Sequence, residues 1–393
     1  MEYIRIGFVN VPDQSWMGGV NYLKNILYAI ELNEHSCLKP YVFLDKKFSA
    51  DIRKEYGERA KVVESFLLNK TGLFAYASRN IRRVFKNFFP FNTVLGKSNI
   101  KVLSHFSNEF GRGTIKQVGW IPDFQHVHLP QMFSEKVKKR RDQNFLEKIS
   151  NSSLVILSSR QAYEDFKQFA PDFANKGRIL NFVSQPDSSL YNLPADYTRQ
   201  VMEKYSIQKK FFFLPNQFWK HKNHLSVFKA LEILKNKGVK IKLVCSGKMD
   251  GPTVTEHSKE LIEYIDKAGL DSQVTFLGLI DYKELMVLAR NCISVINPSL
   301  FEGWSSTVEE CKSMGKNMLL SNIPVHLEQS PPGSIYVDPE DPEDIARALH
   351  KNWEDLIPGP DYELEKKAKL TLKSRTLEFA MQYENIVNEV LSQ

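Results

Sequence analysis

The segment FEGWSSTVEEC, residues 301–311, sets two carboxylates, Glu302 and Glu310, around a glycine, a tryptophan and a cluster of small hydroxyl residues. The preceding SVINP reads as a strand, and Val308 to Gly315 has helical character. Ser305, Ser306 and Thr307 then fall at a helix N-terminus. Free backbone N–H groups and the positive end of the helix dipole attract an anion there. Gly303 allows close backbone approach. Glu302, on the loop, can accept hydrogen bonds from hydroxyls. Glu310, about one turn inside the helix, can hold a second hydroxylated group. Two acids bracketing a phosphate site suit a nucleotide-sugar, with one acid on the sugar and one on the ribose. On spacing alone a plainer account also holds: Ser305 caps a helix and both glutamates are solvated.

Two further stretches have chemically suggestive residues. PNQFWKHKNHLSV (residues 215–227) places Lys220 and Lys222 at a strand-to-helix junction. Cations there stabilise a leaving group that develops negative charge; a solvated basic turn is the alternative. VPDQSWMGGVNYLKN (11–25) reads strand, loop, glycine pair, helix. Gly18 and Gly19 would let the helix N-terminus approach a phosphate or sugar, or would simply make a tight turn. Asn21 opens that helix.

These residues need a frame. IRIGFVNV, LKPYVFL and SLVILSS are short apolar runs bounded by turn signals, as buried parallel strands are. Helical stretches such as 20–33 and 160–170 alternate with them, a βαβ pattern. The alternation restarts with FFFLPN, KIKLVCSG, VTFLG, SVINP and NMLLSN, separated by helices such as 224–238 and 281–291. QPDSSLYNLPADY (185–197) is a linker between the two series. The expectation is an α/β protein of two doubly wound domains facing a central cleft, with ligands outside the carboxyl ends of the strands. The expected boundaries are 1–190 and 198–370. A length of 393 residues is too long for one ordinary domain and suggests two or three.

Composition narrows the classes. Four widely spaced cysteines form no CxxC pair, which argues against a metal or disulfide framework and for a reducing, cytosolic setting. The net charge of +7 favours anionic partners without choosing among them. No apolar run reaches the roughly 20 residues of a membrane span. MEYIRIGFVNVP reads as a first strand, not a signal peptide.

FEGWSSTVEEC resembles the Glu-x7-Glu motif of retaining GT-B glycosyltransferases, family 4. The similarity runs from Phe276 to Leu349, and FFFLPNQFWKHKNH resembles that family's first donor-domain strand and phosphate loop. It is weaker in the N-terminal half. The resemblance implies that Glu302 contacts donor-sugar hydroxyls, that Gly303 and Trp304 shape the loop, and that the Ser306 and Thr307 amides hold the diphosphate. Glu310 would bind the ribose, the family spacing choosing it over Glu309. Lys222 matches the diphosphate-binding lysine. The usual arginine five residues earlier is replaced by Gln217, so Lys220, with Asn216 or Gln217 as a neutral donor, would supply the rest. Gly247 and Leu279 fall in the donor half, where the base is read through backbone near 277–280. The glycine pair resembles the loop that faces the donor from the acceptor domain. A histidine after an N-domain strand would touch the donor sugar: His126 in GWIPDFQHVHLP, with His128 as runner-up, His105 as a third choice and Asp123 as an orienting acid. The helix 376–393 would pack back on the N-terminal domain.

The implied activity is transfer of a sugar from a UDP- or GDP-sugar to a hydroxyl of a glycan or lipid-linked acceptor, as in bacterial surface polysaccharide synthesis. It needs no cofactor and no metal: the prolines of VDPEDPEDIARAL make that acid-rich stretch a capped helix start, not a metal-binding site. The basic, aromatic stretch 67–92 suits either an anionic membrane surface or a helix packed on the sheet. The expected location is the cytoplasm, with a peripheral place on the inner face of the plasma membrane if that stretch docks. KVKKRRDQ (136–143) reads as a solvated helix face. Rival readings are an epimerase or phosphorylase of the same fold, or a non-enzymatic nucleotide or nucleic-acid binder. The scattered basic runs argue against nucleic acid.

Overall fold

The computed structural model describes residues 3–9, 11–12, 16–45, 48–65, 94–105, 115–248 and 255–393. The basic, aromatic stretch 67–92 lies outside them. The chain forms two compact units: Met1–Ser184 with Lys373–Gln393, and Gln185–Leu372. The segment expected to be a linker belongs to the second unit. It forms a short 3-10 turn, Ser188–Asn192, and leads into the helix Ala195–Lys204. Leu190 explains this, because it is buried in that unit's core.

In the first unit the described strands are β1 Ile4–Phe8, β2 Leu38–Leu44, β3 Lys61–Glu64, β4 Val102–His105, β5 Lys116–Ile121, β6 Leu154–Leu157 and β7 Gly177–Ile179. Their order in the sheet is β3-β2-β1-β4-β5-β6-β7, all neighbours parallel. In the second unit they are β8 Phe212–Leu214, β9 Leu243–Cys245, β10 Val274–Phe276, β11 Val295–Asn297, β12 Met318–Ser321 and β13 Ile335–Val337. This sheet is also parallel, in the order β10-β9-β8-β11-β12-β13. Each sheet has a point where the strand order reverses, between β1 and β4 and between β8 and β11. Such switch points open a crevice at the carboxyl ends of the strands.

The FFFL run shows why the second sheet is covered on both faces. Successive side chains on a strand point to opposite sides. Phe212 and Leu214 enter the core layer that contains the helix His224–Asn236. Phe211 and Phe213 enter the layer that contains the helices Tyr282–Asn291 and Ser306–Met314. All four are fully buried.

The last helix, Tyr362–Ser392, is longer than the sequence suggests and contributes residues to both units. Within the first unit it buries Phe379, Tyr383, Val387 and Val390. Its Glu384 accepts from Cys37 N at 2.9 Å, and its Glu389 pairs with Arg178. The acid-rich stretch forms a capped start: Asp341 accepts from Glu343 N at 2.9 Å, with Pro342 opening the helix Pro342–Asp355. Among the described residues no helix is long and apolar enough to cross a membrane.

Candidate active site

In the second unit, the loops after β8 and β11 meet at the switch point. Lys222 closes a 3-10 turn, Lys220–Lys222. Asn223 then takes a left-handed conformation, φ 57°, and its side-chain amide donates to Pro298 O and Pro339 O at 3.1 and 2.8 Å. The lysine turn is thus tied to the loop that carries Glu302. Lys222 Nζ donates to Glu302 Oε1 at 2.5 Å, with both side chains largely enclosed. Ser299 Oγ also lies on that oxygen, at 2.7 Å. Ser299 is within 2.7 Å of Asn297 Oδ1 as well, but Asn216 Nδ2 already serves that acceptor at 3.1 Å. The single hydroxyl proton is better used on Glu302, whose carboxylate is the stronger acceptor. Glu302 Oε2 has no partner among the described residues.

Burial would raise the Glu302 carboxyl. The Lys222 ammonium, with His326 and His221, outweighs this and holds it at about 2. The acid is ionised at neutral pH and presents one uncommitted oxygen to a ligand hydroxyl. His221 and His326 are each held down to about 4, mainly by burial, so both are neutral there.

The helix Ser306–Met314 begins beside this pair. Ser305 is its N-cap and accepts from Val308 N at 3.5 Å. The Ser306 and Thr307 amides have no partner among the described residues and point along the positive end of the helix. Glu309 and Glu310 meet different partners. Glu309 is buried and accepts from Gln329 Nε2 at 3.4 Å. Glu310 receives the Tyr282 hydroxyl at 3.1 Å. Burial pushes the Glu310 carboxyl up to about 7, and the Tyr282 hydroxyl opposes this. Tyr282 is itself 43% exposed, so this acid stands at the mouth of the site and not in the core.

Several expected ligand contacts turn out to be committed to the protein. Ser305 is buried, and its Oγ takes a hydrogen bond from Asn297 Nδ2 at 2.9 Å besides capping the helix. Asn216 is buried against Asn297. Gln217 Oε1 accepts from Lys248 N at 2.9 Å. These bonds help shape the loops, and of Gln217 they use the acceptor oxygen, not the amide donor. Lys220 is exposed, with no ion pair among the described residues. Gly247 has a packing reason to be glycine: a Cβ there would meet Asn216 O at 2.5 Å. Its amide donates to Gly278 O at 2.9 Å, which sets the backbone beside Leu279, 66% exposed. Gly303 and Trp304 form a half-buried bend ahead of the helix.

The first unit also departs from expectation. The space beside Gly19 is filled by Trp16 and Pro12, whose atoms would lie 2.5 and 2.8 Å from an added Cβ. Gly19 makes room for its own loop, while Gly18 is exposed at the first turn of the helix Met17–Leu32. Trp16 stacks on Trp120, which stacks on Tyr22. His126, expected to touch the sugar, is 3% exposed. Phe124, Phe133, Phe145 and Phe169 surround its ring, and its Nε2 lies 2.8 Å from Asp142. That ring packs among these phenylalanines and against the helix Glu135–Asn151. His128 pairs with Asp165 at 2.9 Å. Asp123 orients neither histidine; it binds Arg141 at 3.1 Å and Gln125 N at 2.9 Å. His105 is fully buried beside Tyr22 and Ser104, and burial holds it neutral at about 3. Sequence reasoning missed Asn297, Ser299, Tyr282, His326 and Gln329. Asn297 alone left a trace, as a polar residue ending an apolar strand.

Comparison with known proteins fits this geometry. Residues 198–369 match the family model described as Glycosyl transferases group 1. The O-antigen chain mannosyltransferase RfbU of Salmonella typhimurium is 27% identical over 241 residues, 60% of this chain and 60% of that protein. The match thus spans about three fifths of that relative's length. Among solved structures, Anabaena Alr3699/HepE in complex with UDP and glucose superposes with a TM-score of 0.65 at 16% identity, over 100% of both chains. The lipopolysaccharide outer core galactosyltransferase WaaB, in its apo form, gives 0.60 at 15% identity, over 98% of this chain and 99% of that one. At such identities the likeness is one of fold: the chain has the two-domain α/β architecture called GT-B, and its second unit carries the glycosyl transferases group 1 match.

Proposed function

We propose that the protein is a retaining glycosyltransferase of family 4 that moves a sugar from a nucleoside-diphosphate sugar to a hydroxyl of a glycan or lipid-linked acceptor. The observation that carries this reading is the Lys222–Glu302 pair, set beside the Ser306 and Thr307 amides, which have no partner among the described residues. A cation, a helix N-terminus and an ionised hydroxyl acceptor converge at one switch point. That is what a diphosphate joined to a sugar requires. The group 1 family match and the O-antigen and lipopolysaccharide transferases among the similar proteins support bacterial surface glycan as the product.

In the proposed reaction the bond from the anomeric carbon to the diphosphate oxygen breaks, and a bond to the acceptor oxygen forms on the same face. The acceptor's proton passes to the departing phosphate oxygen. Lys222, Lys220 and the two amides meet the charge that builds on the diphosphate. Glu302 Oε2 holds a sugar hydroxyl, and Glu310 the ribose. UDP and GDP are the favoured nucleotides. The UDP-bound structures of Alr3699/HepE lend weight to the first.

The test is slow hydrolysis of nucleotide-sugars, with water as acceptor, followed by proton NMR. Wild type is expected to release nucleoside diphosphate from one donor class and a sugar of unchanged anomeric configuration; Glu310→Ala should be slower. Release of the opposite anomer would sink retention, and no release from any donor would sink the transferase reading.

A further inference from the structure

The Ser305 peptide is held from both ends by a single side chain. Gln329 closes the helix Pro324–Gln329 and is fully buried. Its Nε2 donates to Ser305 O at 2.9 Å, and its Oε1 accepts from Ser305 N at 3.2 Å. A primary amide has the donor and acceptor needed to grip both polar groups of one residue's backbone. From the other side, Asn216 Nδ2 donates to Asn297 Oδ1, and Asn297 Nδ2 donates to Ser305 Oγ. The four residues are each at most 3% exposed. Together they form a chain of buried hydrogen bonds from the end of β8, through the end of β11, to the segment after β12. Satisfied networks of this kind fix geometry, because an unpaired member inside the protein is costly.

Ser305 is the residue whose orientation aims the next two amides. If its peptide rotates, the Ser306 and Thr307 N–H groups no longer converge on one anion. We infer that Gln329 is a positioning residue for diphosphate recognition: it touches no ligand, and it sets the direction of the amides that do. This rests on the reading of the Ser306–Met314 helix as the diphosphate site. A merely structural role would leave Gln329 contributing to folding alone.

Gln273 separates the two roles. It is a buried glutamine of the same unit whose Oε1 accepts from Ile241 N at 3.1 Å, near the amino end of β9 and away from the site. The experiment compares Gln329→Met, Gln329→Glu and Gln273→Met for Tm and for affinity toward a nucleoside diphosphate and the same nucleoside without phosphates. Both methionine variants should lower Tm. Only Gln329→Met should weaken the diphosphate, by about tenfold or more, since an unmade buried hydrogen bond costs on that scale. The nucleoside should bind both alike. Gln329→Glu keeps only the acceptor for Ser305 N and sets a carboxyl against Ser305 O and Glu309, so it should weaken the diphosphate as well; it carries the test if the methionine variant does not fold. Unchanged diphosphate affinity in both Gln329 variants, or an equal loss in Gln273→Met, would overturn the inference. If wild type binds no nucleoside diphosphate, the donor-site reading fails first and takes this inference with it.

Discussion

Glu302 and Glu310 are the same residue type in one loop–helix segment, yet their surroundings drive them apart. Glu302 has an ammonium at 2.5 Å and stays ionised through the physiological range. Glu310 has the Tyr282 phenol beside it, and burial raises its carboxyl to about 7. The signs for stability are therefore opposite. The lowered Glu302 contributes stability above about 4.5 that is lost as pH falls toward 2. The raised Glu310 contributes stability below about 4.5 that is lost as pH rises through 7. For binding, an ionised Glu310 accepts both hydroxyls of a ribose better than a protonated one. Nucleoside diphosphate affinity should therefore rise as pH increases through about 7, beyond the change the ligand's own titration produces. Glu310→Gln has the ligand's titration but not the acid's, so the difference between the two pH profiles isolates the residue. Parallel profiles would remove Glu310 from the site.

At the scale of elements, the loops at the switch point leave little room. An alanine at 247 would press its methyl on the backbone carbonyl of Asn216, whose side chain belongs to the buried chain running through Ser305 to Gln329. Gly247→Ala should cost about 1–3 kcal/mol of stability, the usual range for forced local strain, and should also weaken nucleotide binding. Denaturant unfolding together with nucleotide titration checks both; a stable variant with intact affinity would show that the loop yields. How far such elements were legible follows from their chemistry. Strands buried on both faces, such as FFFL and LVIL, announce themselves as apolar runs. KVVE, VLSH, KQVGWI and IYV are short or carry polar residues, so their strand signal is weak. The helix start after Glu302 and the strand-to-helix turn at Lys222 were legible as local features, while the Lys222–Glu302 pair itself comes from two loops 80 residues apart. Gln329 and Tyr282 were not legible, since tertiary approach alone brings them to Ser305 and Glu310. The burial of His126 was not legible, because its neighbours in the chain look like a strand-end loop while the rings around it come in part from the helices 135–151 and 160–169.

At the scale of the molecule, one C-terminal helix serves two cores. Removing residues 373–393 takes Phe379, Tyr383, Val387 and Val390 out of the first unit, along with the Glu384 and Glu389 contacts. Losses of large buried side chains run to about 2–5 kcal/mol each. Against a usual total of about 5–15 kcal/mol, that is enough to unfold the unit. A chain ending at Leu372 should become protease-sensitive before residue 184 while 185–372 stays protected. Equal protection of both units in limited proteolysis would show that the first core stands without the helix.

The most direct measurement is calorimetric titration of wild type and Lys222→Met with UDP, GDP, ADP and TDP. The account predicts that one nucleotide binds wild type and loses about tenfold in the variant, the scale of one charge-assisted hydrogen bond. Binding of none, or equal binding to both proteins, would contradict a diphosphate site built on Lys222.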